Sequence, residues 1–491
     1  MKCCTPEAVG ISSRHVLAFH KALDRYKLAT HAVMLARGDE IFSECYYAPF
    51  DAQFKHRLYS VSKSFVSIAV GFCEQDGLLD LDEPMIRYFK EYENENTDDM
   101  LRAVTIRELL MMESTMEHCI SWFTSGTTDR TEVYFRKPSD RNGGCLYSYD
   151  SSGSYLLGVI VEKVTGKPFL EYLKDKVLRE IGFSEDAYCI QAPGGHSFGD
   201  SGIMCTLKDM MLFARFVLNG GTYNGKRYLN EEYVRKATTP AVCNDYYGIG
   251  SHGSHGYGYQ FWGAPHGCFA MLGMGTQVAL CDPKHDFIMV IQSDNQANGH
   301  HYEYLYEAVY HNVIDHLEDA ALPENPAALA ELKAYYANAK LFSLTQNGNV
   351  PFAEKINGKT FIPAENKMQI KWFRLDFDGD KGTFSYENAQ GKKSFPFGIG
   401  YNEFAKFPEE GYSDLIATYP APGNCYDAAF SADWPEPQKL RIRVQIIDKY
   451  FGVLGIVFGF KNDKVVSVRM HKVAEAFLEE YHGMMNAVAE D

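Results

Sequence analysis

Two hydrophobic rhythms alternate over the first two-thirds of the chain, and one of them takes over after about residue 340. Ala32-Val33-Met34-Leu35-Ala36 is an unbroken apolar run that meets Arg37-Gly38-Asp39, which predicts a strand entering a turn. Val61–Phe72 is apolar-rich over a length that suits a helix. Thr105 and Glu108 are spaced as a capping box, so a further helix is expected to start there. Tyr155–Val164 carries apolar residues at helical spacing and stops at Thr165-Gly166; Lys208–Leu218 stops at Asn219-Gly220-Gly221. Gln277–Leu280 and Phe287–Ile291 predict two paired strands around Asp282-Pro283-Lys284-His285-Asp286.

Residues Glu318–Lys340 are Ala-rich and punctuated by Pro323 and Pro326, which reads as a helical linker. Beyond it the period is two. Phe373, Leu375 and Phe377 alternate with Trp372, Arg374 and Asp376, ahead of the turn Asp378-Gly379-Asp380. Leu440, Ile442, Val444 and Ile446 alternate with Arg441, Arg443 and Gln445, and Asn462-Asp463 separates two further strands. Short strands with polar turns predict a small all-β domain, a barrel or curled sheet. The expected organisation is therefore residues 1–340, including the linker, and residues 341–491.

Composition narrows the classes. The chain has 491 residues, 46% hydrophobic and 23% charged, an ordinary globular balance. Its net charge is 48 − 64 = −16, which disfavours nucleic acid and anionic membrane as partners. Aromatics make up 14%, which suits extensive sheet and a ring-lined pocket. No apolar run of signal-peptide length follows Met1-Lys2, and the longest apolar stretch, Tyr450–Phe460, is too short to span a bilayer. The 12 Cys are scattered without a C-x-x-C pair. The expectation is a cytoplasmic protein with reduced thiols.

The strongest chemical signal is Tyr59-Ser60-Val61-Ser62-Lys63, an S-x-x-K match that opens a helix. Residues i and i+3 share a helix face, so the Ser60 hydroxyl and the Lys63 amine can touch. A serine hydroxyl is a weak nucleophile until a base takes its proton, and a desolvated lysine can be that base. The helix N-terminus adds positive potential where an oxyanion would form. Four letters match by chance often, so the motif gains weight only from its company.

That company includes Tyr149-Asp150-Ser151-Ser152-Gly153-Ser154-Tyr155-Leu156-Leu157-Gly158, Gly202-Ile203-Met204-Cys205-Thr206 and Tyr257-Gly258-Tyr259-Gln260-Phe261-Trp262. With Pro6-Glu7-Ala8-Val9-Gly10-Ile11 and Gly77-Leu78-Leu79-Asp80-Leu81-Asp82 they form an ordered set over residues 5–310. The set resembles the β-lactamase-related serine hydrolases, a group that holds class C β-lactamases, DD-peptidases, D-aminopeptidases and esterases. The resemblance implies an α+β fold, an antiparallel sheet flanked by helices, with the site in the groove beside a helical subdomain. It implies that Ser60 is the acylated nucleophile, Lys63 its proton partner, and Tyr149 the tyrosine of the Y-x-N element. Ser151 stands where that element has Asn. In the third motif, K-T-G or H-x-G, Gly273 fits but Met271 replaces the Lys or His. The backbone N–H groups of Ser60 and Met274 would form the oxyanion hole. No cofactor and no metal is implied.

Several segments imitate other chemistry. Gly199-Asp200-Ser201-Gly202 looks trypsin-like, but Ile203-Met204 follows instead of Gly-Pro. Ser293-Asp294-Asn295 spells a class A β-lactamase element in the wrong order and is expected to end a strand. His252, His255, His266, His300 and His301 are locally enriched without metal spacing, and loops near the cleft mouth are their expected place. Two functions remain: a serine hydrolase acting through an acyl-enzyme on an ester or amide of a small molecule or peptide, or a silent binding or scaffold protein that keeps the fold. The sequence leaves the oligomeric state open.

Overall fold

The computed structural model describes residues 1–116, 129–247, 252–412, 420–474, 478 and 480–490. They fall into two compact units that meet in sequence at Lys340 and Leu341.

The first unit is built on a seven-stranded sheet: β1 (Lys2–Cys3), β2 (Thr30–Arg37), β3 (Glu40–Tyr46), β4 (Trp262–Gly263), β5 (Phe269–Gly273), β6 (Gln277–Asp282) and β7 (Phe287–Ser293), in the order β1-β3-β2-β7-β6-β5-β4. The N-terminal hairpin joins the later strands through an antiparallel β2–β7 ladder, from Phe287↔Arg37 to Gln292↔Ala32. These strands are apolar on both faces because both faces are covered. On one, Val33, Leu35, Ala270, Leu272, Met289 and Ile291 share a core with helices α1 (Ser13–Arg25), α5 (His301–Asn312) and α6 (Pro326–Asn338). Against the other lies α4 (Leu207–Leu218), in contact with β2, β6 and β7.

A helical layer completes this unit. Its central helix, α2 (Ser62–Gln75), is buried from Ser62 to Cys73 and packs on α3 (Ser151–Thr165). An apolar surface all round is what a helix enclosed on every side requires. The expected capping box is present: Thr105 Oγ1 accepts from the Glu108 N–H at 3.2 Å, and Glu108 Oε2 accepts from the Thr105 N–H at 2.7 Å. α3 ends, as its sequence predicts, on a left-handed Gly166 at φ 69°.

The second unit is a closed barrel of nine strands. Thr360–Pro363, Trp372–Asp378, Lys381–Asn388 and Gly391–Ile399 form one run, and Pro420–Glu436, Lys439–Ile446, Gly452–Phe460, Val465–Ala474 and Gly483–Ala489 the other. Thr360–Pro363 pairs with Gly483–Ala489, and the circle closes where Gly398 and Ile399 pair in parallel with Ser431 and Ala432. Glu403–Tyr412 adds a tenth strand outside the circle, on Pro420–Glu436. The period-two pattern fills the interior with rings, among them Phe361, Phe373, Phe384, Tyr386, Phe395, Phe430 and Phe458, all at most 1% exposed. The apolar stretch Tyr450–Phe460 supplies one of these strands. Among the described residues no helix is long and apolar enough to cross a membrane, and the cysteines form no disulfide.

The helical segment expected before residue 340 forms a helix that packs into the first unit's core. Pro326 sits in the first turn of α6, and Asn325 caps it by accepting from the Ala328 N–H at 3.1 Å. Ala328 and Leu332 are buried, and α6 packs on α1. Tyr335 Oη donates to Asp24 at 2.8 Å, and Tyr336 Oη pairs with Ser43 Oγ at 2.6 Å. Alanine richness hid this, because two apolar anchors in thirteen residues make a weak periodic signal. Leu332→Ala should therefore cost about 2–5 kcal/mol of stability, read from the urea midpoint, while the exposed Glu331→Ala stays within about 0.5 kcal/mol. Equal midpoints for both would mean that α6 is only a connector.

Candidate active site

The approach to Ser60 is bent and clamped. The short strand His56–Arg57 pairs with Ile203–Cys205, and the Leu58 N–H donates to the Ile203 carbonyl at 2.8 Å. Tyr59 then adopts φ +48°, a left-handed conformation that is costly for a bulky side chain. Its ring is buried and the Arg57 guanidinium lies 4.5 Å above it. Directly after this kink the chain enters a 3₁₀ turn, Tyr59–Val61, that leads into α2. Ser60 is thereby presented at the head of a long buried helix.

Lys63 is one turn further on and only 2% exposed. Its Nζ donates to Ser60 Oγ at 3.0 Å and to the Asp200 carbonyl at 2.8 Å, and lies 5.1 Å from the centroid of the Tyr149 ring. Tyr149 stacks on Trp262 with centroids 5.4 Å apart. Ser60, Lys63 and Tyr149 thus meet around one amine, although 86 residues separate Lys63 from Tyr149 in the chain.

The placement of Tyr149 rests on its neighbour. Asp150 caps α3, accepting from the Ser152 N–H at 2.9 Å and from Ser114 Oγ at 2.8 Å. Burial raises the Asp150 carboxyl above its ordinary range, and those hydrogen bonds pull it back down. Ser151 is the first residue of α3 and half-buried.

Gly273 ends β5 against the Ser60 turn. A Cβ there would lie 2.3 Å from the Leu58 carbonyl oxygen and 3.3 Å from the Ser60 nitrogen, so only glycine lets the strand approach this closely. Tyr302 Oη donates to the Gly273 carbonyl at 2.8 Å. Met274 follows, 41% exposed. Met271 is fully buried in β5, and strand alternation points it away from the face that Ala270 and Leu272 present to α1.

The histidines divide. His252 stacks on the Tyr302 ring at 4.4 Å, with its Nδ1 3.1 Å from Glu303, and His301 Nδ1 pairs with Thr276 Oγ1 at 2.6 Å. Burial, reinforced by His252, lowers His301 to about 4. His255 is exposed and His300 precedes α5, whereas His266 packs on Tyr310 at the opposite end of β5 from Gly273. Of the loop positions expected for these residues, His301 departs, since it is the first residue of α5. Among the described residues no group of three or more His, Cys, Asp or Glu could hold a metal ion. Ser293 does end β7, as its sequence predicts.

Sequence reasoning passed over three residues that the fold brings in: Asp150, Tyr302 and Asp200. Asp150 had a local signal, since a short acidic residue two positions before Ser152 suits an N-cap. Tyr302 and Asp200 had none, because each reaches the site across a long stretch of chain.

The chain is similar to proteins of one family. The beta-lactamase family model matches residues 17–310. The 6-aminohexanoate-dimer hydrolase of Paenarthrobacter ureafaciens is 27% identical over 285 residues, 53% of this chain and 71% of that protein. An uncharacterised protein of Alkalihalophilus pseudofirmus is 23% identical over 290 residues, 52% of this chain and 77% of the other. The fold is shared with a penicillin-binding protein homologue from Caulobacter crescentus, with a TM-score of 0.51 and 14% identity over 64% of this chain and 99% of that one. A match over more than half of the sequence, with an ordered site at its centre, places the chain in the beta-lactamase family of hydrolases.

Proposed function

We propose that this protein is a serine hydrolase that passes through an acyl-enzyme on an ester or amide. The observation that carries the reading is the buried Lys63 amine 3.0 Å from Ser60 Oγ at the head of a helix. In this scheme Ser60 Oγ attacks the carbonyl carbon while its proton passes to the Lys63 amine. The oxyanion is held by the N–H groups of Ser60 and Met274, with the helix N-terminus adding positive potential. The proton then leaves through Lys63 and Tyr149 to the departing alkoxide or amine, and water attacks the acyl group by the reverse route. Ser151 offers a short hydrogen-bonding group to the substrate, and Gly273 keeps β5 close enough for its end to line the site. The naming of one relative as a 6-aminohexanoate-dimer hydrolase supports substrates other than β-lactams.

Ser60→Ala should lower ester or amide turnover on the order of 10⁴-fold and abolish fluorophosphonate labelling. A wild-type chain that takes up no such probe would instead fit a silent binding fold.

Lys63→Ala and Tyr149→Phe should be strongly non-additive, the double variant losing little more than the worse single one, because both act on one proton. Additive losses would reduce Tyr149 to a packing role.

Met271 offers no donor to a substrate carboxylate, where a charged hydrogen bond would contribute about 1.5–3 kcal/mol. A neutral aryl ester should therefore exceed a chromogenic cephalosporin and a D-Ala-D-Ala peptide in kcat/KM, after correction for intrinsic reactivity. A tenfold advantage for either of the latter would contradict this preference.

A further inference from the structure

We propose that Tyr302 is a positioning residue for the oxyanion hole: its hydroxyl, bonded to the Gly273 carbonyl, orients and polarises the peptide whose N–H, that of Met274, receives the negative charge of the transition state. This rests on the acyl-transfer reading above.

The two N–H groups of that reading belong to chain segments in contact. A Cβ on Gly273 would lie 3.3 Å from the Ser60 nitrogen, so the end of β5 touches the nucleophile turn. Among the described residues, neither the Ser60 N–H nor the Met274 N–H donates to another group. Two backbone donors left open beside a nucleophile are what a developing oxyanion requires.

The Gly273–Met274 peptide is held by its other end. Its carbonyl accepts from Tyr302 Oη at 2.8 Å and from the Thr276 N–H at 3.2 Å. The Thr276 bond closes the turn between β5 and β6. The Tyr302 bond comes from outside this hairpin, from the second residue of α5. The carbonyl and N–H of one amide lie in a plane and share their electrons by resonance. A donor at the oxygen therefore fixes the tilt of that plane, and with it the direction of the N–H. It also draws electron density toward the oxygen, which makes the N–H a better donor; bonds linked in this way strengthen one another by roughly 10–30%.

Tyr302 keeps its place without help from that bond. Its ring stacks on His252 at 4.4 Å and lies 4.3 Å from the His301 ring. His301 Nδ1 pairs with Thr276 Oγ1 at 2.6 Å, which ties the start of α5 to the same turn. The turn has further anchors. The Asn295 N–H donates to the Gly275 carbonyl at 3.0 Å, Asn295 Nδ2 to Thr276 Oγ1 at 3.3 Å, and Gln277 Nε2 to the Met274 carbonyl at 3.2 Å. Loss of the Tyr302 hydroxyl thus removes one bond to the peptide and leaves the turn its other supports. A phenol titrates at about pH 10, and burial pushes this one higher, so Tyr302 stays a donor through the neutral range.

The test is Tyr302→Phe in the full chain, which keeps the ring and removes the hydroxyl. The readouts are kcat and KM for a neutral aryl ester, the rate of Ser60 labelling by a fluorophosphonate, and the carbonyl stretch of an acyl-enzyme formed with a slowly deacylating aryl ester. Outright loss of an oxyanion donor costs about 10²–10³-fold, so weakening one from a single remove should lower kcat about tenfold. KM should stay unchanged, because the bond acts as charge develops on the oxygen. Labelling should slow to match, and the carbonyl frequency should rise. The 3-fluorotyrosine side chain at position 302, a stronger donor of nearly the same shape, should act in the opposite direction, and it serves as the test where Tyr302→Phe does not fold. A raised KM with kcat unchanged would make Tyr302 a wall of the substrate groove, and lost turnover with an unmoved carbonyl frequency would make it a packing residue; either overturns the proposal. A wild-type chain that labels at Ser60 while kcat stays fixed in the variants sinks this inference alone. A wild-type chain that does not label overturns the acyl-transfer reading and this inference with it.

Discussion

A lysine amine taken almost wholly out of water is the constraint around which the first unit is arranged. Leaving such a group without partners would cost several kcal/mol, so its surroundings have to supply what water did. Here they are the Ser60 hydroxyl, the Asp200 carbonyl and the face of the Tyr149 ring. These come from the turn that leads into α2, from the Gly199–Gly202 segment and from the residue preceding the Asp150 cap of α3. Holding three separate segments within reach of one nitrogen explains much of the surrounding stitching. Gln260 shows how: its Oε1 accepts from Ser154 Oγ at 2.7 Å, its Nε2 donates to the Leu109 and Leu110 carbonyls, and its own carbonyl accepts from Ser64 Oγ. One buried side chain and its backbone thus tie α2, α3 and the helix Ile106–Leu110 together.

The sheet contributes by shape more than by charge. Gly273 lets β5 come against the Ser60 turn, and Tyr302 holds the Gly273 carbonyl from α5. On that strand Met271 is core, so the charged group that the family's third motif carries has no counterpart on β5 itself. What surrounds the site is largely aromatic: Tyr149 stacked on Trp262, and Tyr302 stacked on His252. Such walls favour flat or apolar groups over anions.

In the second unit the organising demand is closure. A sheet edge exposes unpaired N–H and C=O groups, and joining both ends of the run removes them. The long strand Pro420–Glu436 makes this possible. It pairs antiparallel with Lys439–Ile446, while its residues Ser431 and Ala432 also meet Gly398 and Ile399 in parallel. The register of its ladder shifts between Asp433 and Glu436. Glycines accommodate the rings inside: a Cβ on Gly382 would lie 2.2 Å from the Phe397 ring opposite it.

Local pattern was enough for the elements whose signal is local. The helix face shared by Ser60 and Lys63, the Thr105–Glu108 box, the Gly166 stop and the period-two strands beyond residue 340 are all legible in a window of a few residues, because helix and strand geometry fix what neighbours at i+2, i+3 and i+4 can do. The family likeness added the partnership of Ser60 and Lys63 with Tyr149, which no spacing reveals. The rest depended on contacts between distant segments. Nothing near residue 200 says that its carbonyl will receive the Lys63 amine. Nothing near residue 302 says that its hydroxyl will hold the end of β5. The alanines of α6 conceal a helix anchored by Ala328 and Leu332. In each case the deciding term is burial beside a particular partner, and that exists only once the sheet and helices have packed.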